Sequence, residues 1–297
     1  MDQQLTLRDF FELWPLFGDA TLTGMFAGAA LGILGVHVVL RRMVFLTAAI
    51  SQSASLGVML AIALSSVAVF GLLTPTLGAL LMTIVTLWAV QRARQSSRDF
   101  SDAVLGVMYL AGAAGTLVLG TRVHLELHDL TAMLSGTAVA VVPEDFRAVA
   151  ITSVVLVAIH LAWWRGFAAV TTDRQDAQVR DLPVRALDLT LMLSIALMIS
   201  VSTRVLGPLP TFAFSILPAV AALRVAWNIP SSLVVAAVVG AMMGFVGYVI
   251  ATLYSLPVGP AQTCLGLALV LAADVFARAR AVFRPKVSPK NERAVGA

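Results

Sequence analysis

Residues 41–60 read RRMVFLTAAISQSASLGVML. Two arginines open the stretch, and from Met43 to Gln91 there is no Asp, Glu, Lys or Arg. An uncharged apolar run of about 18 residues already spans a hydrocarbon core roughly 30 Å thick. This one is long enough for two crossings, with Gly71 and Pro75 marking the break between them. The first crossing also carries Ser51, Gln52, Ser53 and Ser55. Polar groups are costly against lipid, so such side chains belong either between helices or along a route through the membrane.

The rest of the chain follows the same pattern. Of 297 residues, 59% are hydrophobic and 12% charged, and the mean hydropathy is +0.92, outside the range of a soluble globular domain. Further charge-free windows lie at Ala20–Leu40, Ala103–Thr121, Ala148–Trp164, Leu189–Thr203 and Val205–Leu223. Val225–Ala273 is long enough for two crossings, with Pro257, Gly259 and Pro260 at the turn. The expectation is an all-α polytopic membrane protein with nine spans, or eight if one does not cross fully. Helices are expected because the bilayer leaves no other partner for backbone polar groups, apart from a closed barrel.

Cations set the orientation. Arg92, Arg94 and Arg98 form one basic loop, Arg165, Arg174, Arg180 and Arg185 a second, and Arg278 to Arg293 a tail; with the Arg41-Arg42 pair, these fall on the cytoplasmic side by the positive-inside rule. With nine spans the N-terminus is outside. Residues 1–19 contain Asp2, Arg8, Asp9, Glu12 and Asp19, unlike a signal peptide, and read as an interfacial segment with Phe10, Phe11, Leu13, Trp14 and Phe17 at the membrane surface. The expected division is therefore an interfacial segment at 1–19, a transmembrane domain at 20–278 and a basic tail at 279–297. The net charge of +4 needs only anionic membrane lipid to explain it, not nucleic acid.

Cys264 is the only cysteine, which excludes a disulfide framework and a thiolate metal cluster. Gly24, Gly28 and Gly32, like Gly240 and Gly244, recur every four residues, the spacing that lets helix backbones approach closely. Met192, Met198, Met242 and Met243 read as packing residues. No HExxH, GxSxG or phosphate-binding GxxxxGK[ST] motif occurs, so the chain is expected to be a transport subunit without chemistry of its own. Any ATP, with its Mg²⁺, would be bound by a partner. HLELHD at 124–129 gathers His124, Glu126, His128 and Asp129 on the outer side, either as a contact for a metal or a partner protein or as a solvated loop. His37 and His160, each alone on an apolar span, read as packed and hydrogen-bonded.

Four segments, spread over nearly the whole chain, resemble the membrane permeases of bacterial ABC importers for zinc, manganese and iron, the ABC-3 type. They are LGILGVHVVLRRMVFLTAAISQSASLGVMLA, LTAMLSGTAVAVVPEDF, DRQDAQVRDLPVRALDLT and GPLPTFAFSILPAVAALRVA. The resemblance implies a homodimer of this chain, two cytosolic ATPase subunits and an extracytoplasmic solute-binding protein. The third segment, within 171–188, is similar to the family's cytoplasmic coupling helix; Asp173, Ala177, Leu182, Pro183 and Val184 match its pattern. Arg174, Gln175, Asp176 and Asp181 replace the usual Pro, Glu, apolar and Gly residues, giving a more charged docking face for a dedicated ATPase. In the first segment the family's Gly-Asp falls on Thr47 and Ala48, and its His on Gln52. Ser51, Ser55 and Met59, at a four-residue spacing with Gln52 beside them, are candidate pathway residues; the other reading is that they hydrogen-bond between helices. Without Asp and His, the cargo is either a bare transition metal or one already wrapped in an organic chelator, a siderophore-type complex. A channel or carrier independent of ATP is the reading from another functional class.

Overall fold

The computed structural model describes residues 5–64, 73–95, 98–122 and 141–283. Among these residues it is helical throughout its regular structure: α1 (Leu7–Glu12), α2 (Trp14–Leu40), α3 (Val44–Leu64), α4 (Pro75–Arg94), α5 (Arg98–Arg122), α6 (Pro143–Ala162), α7 (Trp164–Thr172), α8 (Arg174–Val179), α9 (Val184–Leu206), α10 (Pro208–Val225), α11 (Ile229–Leu253) and α12 (Val258–Phe283). Nine of them, α2 to α6 and α9 to α12, are long and apolar enough to cross a membrane. The chain is an all-α, multi-pass membrane protein, as its hydropathy requires.

Local chemistry explains where the spans begin and end. At α4, the Thr74 hydroxyl accepts from the Leu77 amide and Pro75 occupies the first turn, where a missing N–H leaves no bond unmade. Gly207, at φ 89°, separates α9 from α10 in a conformation that favours glycine. The turn expected at Pro257, Gly259 and Pro260 is instead complete by Pro257, and the latter two lie in the first turn of α12. Proline is tolerated there for the same reason as at Pro75. α2 begins at Trp14 and α12 continues to Phe283, so both terminal spans run past the limits read from charge alone. In the N-terminal segment Thr6 and Asp9 form a capping box, and the hydrogen bonds from Thr6 hold the Asp9 carboxyl below its usual range. Phe10 and Phe17 pack inward against Tyr248 of α11, whereas Phe11 and Leu13 are exposed.

The core is organised around α2, which packs against α11, α10, α6 and α9. Its glycine stripe makes this possible. A Cβ at Gly28 would collide with the Gly240 carbonyl, one at Gly240 with the Gly28 carbonyl, and one at Gly244 with the Gly24 carbonyl. Gly57 of α3 and Gly78 of α4 meet in the same way. Backbone contact of this kind replaces the hydrophobic driving force that lipid removes. Gly28→Ala should therefore force α2 and α11 apart and lower stability by about 1–3 kcal/mol, the usual cost of overpacking. Thermal unfolding in detergent checks this, and an unchanged midpoint would mean that the crossing tolerates an added methyl.

Candidate functional site

α3 carries the residues expected along the pathway, and the structure sorts them by face. Ser51, Ser55 and Met59 are buried within the protomer, at 1%, 8% and 1% exposure. The Ser51 hydroxyl donates to the Ala48 carbonyl at 3.0 Å and Thr47 to the Val44 carbonyl at 2.8 Å, so both satisfy themselves within their own helix. Gln52 lies instead on the less buried line shared with Phe45, Leu56 and Leu60. There α5 crosses closely: a Cβ at Gly112 would lie 2.5 Å from the Gln52 carbonyl carbon, and the Ser53 hydroxyl reaches the Met108 carbonyl at 3.5 Å. The Gln52 Oε1 is buried and accepts no hydrogen bond from the described residues. An orphaned buried acceptor is costly, so this oxygen is the polar side-chain atom of the line with a hydrogen bond still to be made.

The second group forms a compact element. Asp173 caps α8, its Oδ1 accepting from the amides of Gln175 at 2.8 Å and Asp176 at 3.0 Å. Ala177 is fully buried against Val170, Val184 and Leu182, which pins the short helix to α7 and α9. Asp176 pairs with Arg180 at 2.8 Å, and Val179 stands 83% exposed at the tip. Pro183 caps α9 and fixes the exit of the segment.

α8 ends with the Leu182 amide bonded to the Ala177 carbonyl and the Asp181 amide to the Gln178 carbonyl, with Asp181 at φ 55°. That is the Schellman ending, whose left-handed position favours glycine. The same ending recurs at Arg42 after α2 and at Ser255 after α11. Glycine at position 181, which the family resemblance implies, would thus have a conformational reason. Asp181→Gly should be tolerated, whereas Asp181→Val should cost about 1–2 kcal/mol locally. Proteolysis within 171–188 should accelerate only in the valine variant; equal rates in both would refute the conformational account.

The segment that holds α8 is tied to the spans around it by charge. Asp188 of α9 receives Arg41 Nη1 at 2.8 Å and Arg174 Nη1, the first residue of α8, at 2.9 Å. Arg41 and Asp188 are largely buried, at 12% and 18% side-chain exposure. Behind them, His37 Nδ1 and the Thr171 hydroxyl are 2.9 Å apart, and Arg41 Nε donates to the same hydroxyl at 3.4 Å. His160 stacks on Phe167 at 4.3 Å, and its Nδ1 bonds the Leu156 carbonyl. Both histidines are thus packed and hydrogen-bonded, as read from the sequence. A cleft of about 660 Å³ opens beside this network, lined by Arg41, Met43, Arg94, Arg174, Arg185 and Asp188 among others. Its walls come from the junction of α2 and α3, the C-terminal end of α4, and residues of α7, α8 and α9.

At the opposite end, Arg204 of α9 pairs with Asp145 of α6 at 3.0 Å and bonds Thr76 of α4. Deeper in the membrane the Ser200 hydroxyl donates to Thr83 at 2.9 Å, and the hydroxyls of Ser202 and Thr203 are buried without partners among the described residues. Sequence reading missed this polar seam between α4 and α9. Its signal was present in SVSTR, a lone cation ending an apolar span just after three hydroxyls. His124, Glu126, His128 and Asp129 lie outside the described residues. Among the described residues no group of three or more His, Cys, Asp or Glu could hold a metal.

The profile of the ABC 3 transport family matches residues 14–277. The chain belongs to the ABC 3 transport family. It is similar to the high-affinity zinc uptake system membrane protein ZnuB of Haemophilus influenzae, 28% identical over 90% of this chain and 100% of that one. It is also similar to the manganese transport system membrane protein MntC of Halalkalibacterium halodurans, 25% identical over 90% of this chain and 87% of the relative. Among solved structures, PsaBC of Streptococcus pneumoniae superposes with a TM-score of 0.79 at 20% identity, covering 93% of this chain and 100% of that one. A metal-chelate type ABC transporter in an inward-facing conformation gives 0.69 at 18% identity, over 93% and 90%. These likenesses establish the permease fold and a membrane transport subunit.

Proposed function

We propose that this chain is the membrane-spanning subunit of a binding-protein-dependent importer that brings a transition metal, zinc, manganese or iron, into the cell. Two copies would enclose the pathway, a cytosolic ATPase pair would dock on α8 of each copy, and a solute-binding protein would deliver cargo from outside. The observation that carries the reading is the element Asp173–Pro183: capped, exposed at its tip, and joined through Arg174 and Asp188 to Arg41, next to the start of α3. An ATPase that moved α8 would pull on the junction leading directly into α3. The zinc and manganese relatives support a metal as cargo.

A second reading keeps the architecture and changes the cargo to a chelated metal. Its support is chemical: Ala48 and Gln52 offer neither carboxylate nor imidazole, and neutral oxygens suit an organic shell better than an open coordination sphere. Reconstitution of the chain in liposomes with an ATPase and a binding protein that co-purify with it tests both readings. ATP-dependent uptake of free metal supports the first, and uptake only of metal presented with a chelator supports the second. Uptake by the chain alone without nucleotide would assign it to the carriers.

A further inference from the structure

A second recess lies away from the coupling element, where α10 passes into α11 beside the end of α12. It encloses about 320 Å³ and is lined by Arg224, Val225, Ala226, Trp227, Phe276 and Arg280, with Ala277. The Arg280 guanidinium stacks 3.3 Å over the Trp227 ring. Arg224 lies 3.5 Å from Asp274, and Arg278 lies 2.6 Å from the other oxygen of the same carboxylate. Two guanidiniums therefore share the Asp274 carboxylate and the third, Arg280, lies on Trp227, so three cations stand against one anion here among the described residues.

Three further features fix the setting. By the alternation of the spans, this end of α10 and α12 is on the arginine-rich, cytoplasmic side, at the depth of the headgroups. An exposed tryptophan is at home at that depth, and Trp227 is 72% exposed. From the recess an exposed apolar line runs into the membrane along α12, through Val275, Leu271 and Leu267, each one helical turn from the next. From Arg280 to Leu267 is about 20 Å along the helix, comparable with an acyl chain. α8 packs on α7 and α9, so this recess is not part of the coupling element.

We propose that the recess binds the phosphate of an anionic glycerophospholipid, whose acyl chains lie along Val275, Leu271 and Leu267. Arg224 and Arg280 supply donors in the fork geometry that fits a phosphate, Trp227 holds Arg280 in place, and the apolar line distinguishes a lipid from free phosphate. The site is a property of the single chain and stands whether the cargo is bare or chelated metal.

The full chain, purified in neutral detergent, is analysed by native mass spectrometry with phosphatidylglycerol or phosphatidylcholine of identical acyl chains. The wild type should retain one phosphatidylglycerol per chain roughly tenfold or more tightly than phosphatidylcholine. Arg224→Gln with Arg280→Gln should abolish that preference, while Arg122→Gln, at the far end of α5, should keep it. Should the double variant fail to fold, Trp227→Leu, which retains both charges, should still weaken the preference. Equal retention of the two lipids by the wild type, or an unchanged preference in both recess variants, overturns the proposal. Displacement of phosphatidylglycerol by millimolar inorganic phosphate would make this a free-anion site, and altered dimer content with unchanged lipid retention would give the face to a second copy; either overturns it.

Discussion

Asp188→Asn should leave the permease folded and able to bind its ATPase, yet lower transport roughly tenfold or more at equal ATP turnover, the scale set by coupling free energies of about 1–3 kcal/mol. The reason is positional. Asp188 joins the first residue of α8 to Arg41, and Arg41 follows the last residue of α2 just before the left-handed turn at Arg42 that launches α3. Asparagine can still accept one hydrogen bond but cannot neutralise two guanidiniums. Of the two guanidiniums left without a counter-charge, Arg41 matters more, because it is the more buried and an uncompensated buried charge costs more than an exposed one. Arg174→Gln, at an exposed site, should therefore be milder than either Asp188→Asn or Arg41→Gln. The measurement is transported cargo per ATP hydrolysed in liposomes containing the assembled complex. If Asp188→Asn lowered ATP turnover and transport in the same proportion, the network would be only a structural brace. If the variant lost its ATPase altogether, the contact surface would lie at Asp188 itself rather than on α8.

The two halves of this link differed in how plainly the sequence announced them. The element at 173–183 was legible as an interruption between spans because a polar, charged stretch ending in Leu182-Pro183 has no place inside a span of a chain this apolar. Its hub was not: Asp188 reads as an ordinary residue of the first turn of the next span, and nothing local says that Arg41, 147 positions earlier, stands beside it. The same holds for Arg204 and Asp145. The nine spans followed from hydropathy, and the glycine stripes of α2 and α11 followed from their four-residue repeat, because both signals are local. Which face of α3 points inward was not legible. In an aqueous helix the polar side declares itself, but α3 has no charged residue and its Ser, Thr and Gln side chains lie on more than one side, so the spacing groups Ser51, Ser55 and Met59 without saying that they are buried and Gln52 is less so.

The same two positions are tested by Ala48→Asp with Gln52→His, which gives α3 the carboxylate and imidazole that the family resemblance implies. Ala48 is buried and Gln52 already carries an unpartnered acceptor, so the two substitutions ask different things of the fold. The imidazole introduced in place of Gln52 exchanges one buried polar group for another beside α5. The carboxylate introduced in place of Ala48 costs about 2.5–3.5 kcal/mol in the membrane interior unless it meets water, a cation or a partner. A variant that folds only when zinc or manganese is supplied would place the two introduced side chains together on a metal, because the ion would offset that cost by binding the native state alone. Transport then separates the cargo readings. If the natural cargo is a bare metal, the double variant should import it at least as well as the parent. If it is a chelate, the variant should bind free metal more tightly and carry the chelate more slowly, because conduction needs a site that releases as readily as it binds. Failure to fold with or without metal, while Gln52→His alone folds, would place Ala48 against a tight helix contact and remove it from the pathway, with Gln52 alone of the two kept as a candidate.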